Sequence, residues 1–163
     1  MTAVAVAAQP ATPLPALIAA ECETTKAFVE LLQDEQESLL TGEAERLAGI
    51  AQQKSSLALK LRQLGVNRNR QLAALGLPAD RRGVERLLMQ RPDASIRGVW
   101  NALMRLAESA RQLNHVNGII IRERLRYVQQ AVAALSKAAQ GTALYGPDGG
   151  ARVSTPGRRF GAA

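Results

Sequence analysis

The side chains equipped for chemistry are few and far apart. The single histidine, His115, falls at position f of a helical heptad pattern, away from its apolar face, and lacks the converging titratable groups that proton transfer or ligation requires. Cys22, the only cysteine, lies in an acidic segment with no nearby histidine to lower its pKa. It reads as a buried thiol, and neither an intrachain disulfide nor a Cys-rich metal site can form. Glu21, Glu23, Glu30, Asp34, Glu35 and Glu37 form a run of carboxylates along one helix rather than converging from loops as cation ligands do, so a solvated face is expected. The glycines after Gly141 follow no strand and open no helix, which excludes a phosphate loop. No catalytic residue, metal site or cofactor is expected.

The polar groups that stand out are amides on an apolar stripe. With Leu103 at position a, Ile96, Leu103, Ala110, Asn117, Arg124 and Ala131 occupy a, and Leu106, Leu113, Ile120, Tyr127 and Ala134 occupy d. Trp100, Ala107, Asn114, Ile121, Val128 and Leu135 occupy e, making a broad stripe suited to a helix in a bundle. Asn114 and Asn117 interrupt it, one position before Gly118, which would let another backbone approach. A buried asparagine has two readings. It can fix register, because its hydrogen bonds are met in one alignment only, or it can bond a partner helix that completes the bundle.

The elements that carry these residues are all helical. Apolar residues recur at Leu17, Ile18, Cys22, Phe28, Val29, Leu32 and Leu39, predicting a helix from Pro15 to Leu40, broken at Thr41-Gly42. A second helix follows a heptad seam at Leu47, Ile50, Lys54, Leu57, Leu61 and Leu64, extended by Arg68, Leu72 and Leu75, and stops at Gly76-Leu77-Pro78. Lys54 lies inside that seam, its ammonium expected at the rim or against a glutamate of the first helix. Asp80 predicts the N-cap of a short helix with Val84, Leu87 and Leu88 inward and Arg81, Arg82 and Arg86 outward; Asp93 or Ser95 caps the last, running to Gln140. At about 1.5 Å per residue the three long helices come to roughly 39, 50 and 69 Å, so an antiparallel packing leaves part of the last uncovered. The fold class expected is all-α: an elongated antiparallel bundle or coiled coil of three long helices and one short, at residues 14–140, between flexible tails at 1–13 and 141–163.

Charge is distributed unevenly. Residues 1–45 carry eight acids and one base, or −7; residues 46–163 carry six acids and twenty bases, or +14, for a net +7. An acidic first helix thus has basic helices to lie against. A pI of 10.5 allows a nucleic-acid binder, but the arginines (Arg62, Arg68, Arg70, Arg81, Arg82, Arg86) are scattered, without aromatic platforms or helix-turn-helix spacing. The start at Met1–Pro13 lacks a basic secretion-signal onset and no apolar run approaches ~20 residues, which together with one cysteine favours a cytosolic protein. In the Gly/Pro-rich tail, Tyr145 with Leu144 beside it suits the anchor of a short linear motif, or incidental packing on the helix end.

Gln53-Lys54-Ser55-Ser56-Leu57, Leu113-Asn114 with His115 and Asn117-Gly118, and Leu144-Tyr145-Gly146 with Asp148-Gly149 occur in an order that resembles the flagellar export chaperones of the FlgN family, over roughly Leu14 to Gly149. The Ala-rich start, the Arg-rich end and the short helix at Arg81 to Gln90 look idiosyncratic. The resemblance implies a non-enzymatic cytosolic chaperone for the C-terminal amphipathic helices of hook-associated junction proteins, delivered to the cytoplasmic domain of the export-gate membrane protein. The export ATPase complex is a further contact on this reading, a homodimer is left open and nucleic acid is not a partner; the alternatives to this reading are a basic helical nucleic-acid binder and a homodimeric coiled-coil scaffold, the latter favoured by a tight homodimer with no client. Client binding is then expected at Leu113, Asn114, Asn117, Gly118, Ile120, Ile121, Arg124, Tyr127 and Val128, and gate docking at Leu144, Tyr145 and Gly146, where Tyr145 matches the family's docking tyrosine.

Overall fold

The computed structural model describes residues 12–142, with side chains through Ala139. Four helices account for it: α1 (Leu14–Thr41), α2 (Ala44–Ala74), α3 (Arg81–Gln90) and α4 (Ala94–Thr142), with no strand among the described residues. The all-α class and the set of three long helices plus one short one are as expected.

Each boundary has a local cause. Pro15 stands in the first turn of α1, where no intrahelical N–H bond is lost. Gly42 ends α1 at φ 83°, a left-handed conformation that a side chain would strain, and its N–H donates to the Ser38 carbonyl at 3.1 Å. The Asp80 carboxylate caps α3 by accepting from the Arg82 and Gly83 N–H groups. Of the two cap candidates for α4, Asp93 does the work, its carboxylate accepting from Ser95 and Ile96 N–H.

The chain divides into two compact units inside α4, between Ile119 and Ile120. In the first unit α1 and α2 form an antiparallel hairpin, whose register is read from two ion pairs, Glu21 to Arg68 at 2.6 Å and Glu35 to Lys54 at 2.8 Å. Both acids and both bases are two heptads apart, so one alignment satisfies both pairs and a slipped one satisfies neither. The first part of α4 lies parallel to α1. Leu14, Ile18 and Cys22 share a core with Trp100 and Leu103, and Val29 and Leu32 share one with Ala110. Val84 and Leu88 of α3 close the first of these cores.

The carboxylate run therefore departs from the expected solvated face. Glu21 and Glu35 are buried, while Glu23, Glu30, Asp34 and Glu37 are exposed. Desolvating a lone carboxylate would be costly, and the cations of α2 offset that cost. Leu75, placed in the α2 seam by its spacing, is exposed at the helix end instead.

Candidate partner-binding face of the last helix

The first unit contains the amide that the sequence singles out. Asn117 is fully buried, and its Nδ2 donates to the Leu32 carbonyl and to Glu35 Oε2, both at 2.8 Å. Glu35 also accepts from Lys54 Nζ at 2.8 and 3.1 Å. One carboxylate thus ties α1 to α2 and to α4. Asn117 Oδ1 has no hydrogen-bond partner among the described residues, so the node is incomplete and favours specificity over stability. Of the two readings of a buried asparagine, register-setting describes Asn117, whose amide hydrogens are already used within the chain. Asn114, three residues earlier, is exposed rather than on the buried side.

The second charged node is built differently. Arg68 donates to both Glu21 carboxylate oxygens at 2.6 Å and lies over the buried Trp100 ring, 5.6 Å from its centroid. Burial pushes the Glu21 carboxyl above its ordinary pKa, and the Arg68 guanidinium only partly counters this. Burial likewise raises the Cys22 thiol, which suits an inert core residue. His115 is exposed, and no group of three or more His, Cys, Asp or Glu able to hold a metal ion occurs among the described residues.

The expected client-binding residues fall into two sets. Leu113 is half-buried against the Val29–Leu32–Ala110 core, and Asn117 is buried; Gly118 and Ile120 are partly covered. Asn114, Ile121, Arg124, Tyr127 and Val128 are exposed. Leu144, Tyr145 and Gly146 lie outside the described residues.

Within the second unit every described side chain from Ile121 to Ala139 is exposed. The exposed large apolar side chains among these described residues are Ile121, Leu125, Tyr127, Val128, Val132 and Leu135. Five of them, Ile121, Leu125, Val128, Val132 and Leu135, are spaced by four, three, four and three residues, an exposed heptad seam that no described residue covers. Leu125 and Val132 escape the sequence reading because a fixed seven-residue frame assigns them to position b. An α-helix has 3.6 residues per turn, so an apolar column drifts about 20° per heptad and passes from a and d toward b and e within three heptads. Reading the second half at the 3.6 period would have found both.

Arg122, Glu123, Arg124, Arg126 and Lys137 accompany the seam, four bases against one acid, or +3. Arg126 and Glu123 pair at 2.7 Å on the exposed surface, a contact worth little in water. Such an arrangement can hold an apolar helical stripe in place, with basic flanks that favour acids alongside it. Among the described residues no helix is long and apolar enough to cross a membrane.

The family described as FlgN protein matches residues 12–152 of the chain. Two curated relatives, each named flagella synthesis protein FlgN, come from Yersinia enterocolitica and from its serotype O:8 / biotype 1B strain. Each is 28% identical over 144 residues, covering 86% of this chain and 91% of the relative. No solved structure matches.

Proposed function

The chain belongs to the FlgN family, and on that premise we propose that it is a flagellar export chaperone that shelters the C-terminal amphipathic helices of hook-associated junction proteins. It holds them in the cytoplasm until they reach the export gate at the inner membrane. The observation that carries this reading is the uncovered heptad seam Ile121–Leu125–Val128–Val132–Leu135. These five side chains are between 43% and 70% exposed, so about half of the ~1.5–3 kcal/mol available from burying each is still ungained. A client helix laid along the seam would collect several kcal/mol, enough for capture but small enough for release.

The role needs binding and surrender of cargo, and no catalysis. It also accounts for the division of labour along α4. Leu103, Ala110 and Asn117 are committed to the bundle, whereas the side chains from Ile121 to Ala139 are presented. Tyr145, with Leu144 and Gly146, is on this reading the gate-docking element, separate from the client seam.

A second copy of the chain is the weaker occupant, because pairing two seams would bring two sets of +3 flanks together. Isothermal titration of the full chain with a synthetic C-terminal helix of a junction protein tests the proposal. Saturable one-to-one binding at micromolar affinity or tighter is expected; no heat and no helicity gain at high peptide concentration would overturn it.

A further inference from the structure

The basic α3, which the client reading leaves unused, forms a groove with α4 that lies wholly in the first unit. The groove encloses about 420 Å³. Leu88, Trp100 and Met104 line its interior, and Met89 stands beside it at 77% exposure. Arg81, Arg97 and Arg105 line the same groove. Methionine is flexible and polarizable, which suits a surface that must fit apolar side chains of varying shape.

Its charge is lopsided. Its lining carries Arg81, Arg97 and Arg105 against Glu85, or +2. Glu85 is paired with Arg81 at 2.6 Å. Arg97 donates to the Leu88 carbonyl at 2.7 Å, a bond that orients the guanidinium over the groove while leaving its charge to act on a ligand. Trp100, the one aromatic ring lining the groove, is 3% exposed and already lies under Arg68. No open stacking platform for bases exists there.

We propose that the α3–α4 groove is a second protein-docking surface that takes an acidic helical segment, seating an apolar side chain against Met89 and Met104 with its carboxylates facing Arg97 and Arg105. The assignment goes beyond the chaperone reading and does not need it, since the groove shares no residue with the seam of the second unit. A partner could bind here while a client occupies that seam.

The full chain reports occupancy directly, because its single tryptophan lines the groove. The probe is a synthetic helical peptide of leucine, alanine and glutamate, titrated against Trp100 emission and, in parallel, by anisotropy of a labelled copy. Saturable binding that shifts Trp100 emission is expected, weakening about tenfold or more with the exposed-site variants Arg105→Glu and Met89→Glu, weakening with salt, and surviving Val128→Asp in the other unit. A peptide with glutamine in place of glutamate should bind at least tenfold more weakly. Binding that leaves Trp100 emission unchanged, is lost with Val128→Asp, or ignores Arg105→Glu would overturn the proposal. So would tighter binding of random-sequence duplex DNA than of the acidic peptide, which would mark a nucleic-acid surface instead. Circular dichroism checks that both exposed-site variants keep wild-type helicity; should either not, the conservative Arg105→Gln must show the same directional loss for the proposal to stand.

Discussion

Removing the carboxylate of Glu35 should loosen three helices at once. Its side chain is 9% exposed and accepts from Lys54 and Asn117, so Glu35→Ala strands the Lys54 ammonium and takes one acceptor from Asn117. Breaking a buried ion pair from one side costs about 3–5 kcal/mol. Here the Lys54 side chain is 24% exposed and its ammonium can rehydrate, which trims that share to about 2–3 kcal/mol. Asn117, fully buried, loses one of its two acceptors and adds about 1 kcal/mol. The sum, about 3–4 kcal/mol, is a large part of the 5–15 kcal/mol typical of a domain and corresponds to a fall in Tm of roughly 12–16 °C at ~4 °C per kcal/mol. Urea unfolding followed by far-UV circular dichroism measures it, and a double-mutant cycle with Asn117→Ala should give a coupling of about 1 kcal/mol. A loss under about 1 kcal/mol, or strict additivity with Asn117→Ala, would refute the idea that this carboxylate fastens α4 to the hairpin.

Three further outcomes follow from other sites. A Cβ on Gly83 would overlap the Pro78 carbonyl oxygen and sit 3.2 Å from Leu72 Cδ1, so Gly83→Ala should destabilise by about 2 kcal/mol or more, read as a lower urea midpoint, despite alanine's better helix propensity; an unchanged midpoint would contradict the packing. Because the Glu21 carboxyl is raised in the fold, its contribution is fully present below its unfolded pKa and is lost as pH rises through the folded value; the stability difference between wild type and Glu21→Gln should shift against wild type across that mildly acidic window, and a shift of opposite sign would show Arg68 dominating burial. Tyr145→Ala should leave client-helix affinity within twofold of wild type while weakening attachment to the cytoplasmic domain of the export-gate protein, as measured by pull-down with each; loss of the client instead would reverse the assignment.

Much of the architecture was legible in residue spacing, because helix breaks such as Thr41-Gly42 and Gly76-Leu77-Pro78 and caps such as Asp80 act locally. The burial of Glu21 and Glu35 was not. A carboxylate on a helix is ordinarily solvated, and only the two-heptad match to Lys54 and Arg68 in an antiparallel partner reverses that expectation. Lys54 carried half of that signal, since its place inside an apolar seam calls for a glutamate opposite. Gly83 gave no warning either: inside a short helix it reads as weakness, and its need arises from a loop that folds back onto it. The apolar residues after Ile119 were partly missed for a geometric reason, a fixed seven-residue frame applied to a helix with 3.6 residues per turn. Asn114 was placed on the buried side too, and a 3.6-residue period puts it there as well, about 20° from Leu103; its exposure was not legible in spacing.

The central claim is that cargo lies on the seam of the second unit. The most direct measurement is the affinity of a junction-protein C-terminal helix for the full chain carrying Leu125→Asp and Val132→Asp, two side chains each 56% exposed and therefore removable without opening a core. Losing two half-buryable apolar groups and placing carboxylates against the client should cost about 3 kcal/mol or more, a drop of at least 100-fold in affinity with helicity and urea midpoint unchanged. Affinity within threefold of wild type in that folded variant would contradict the account.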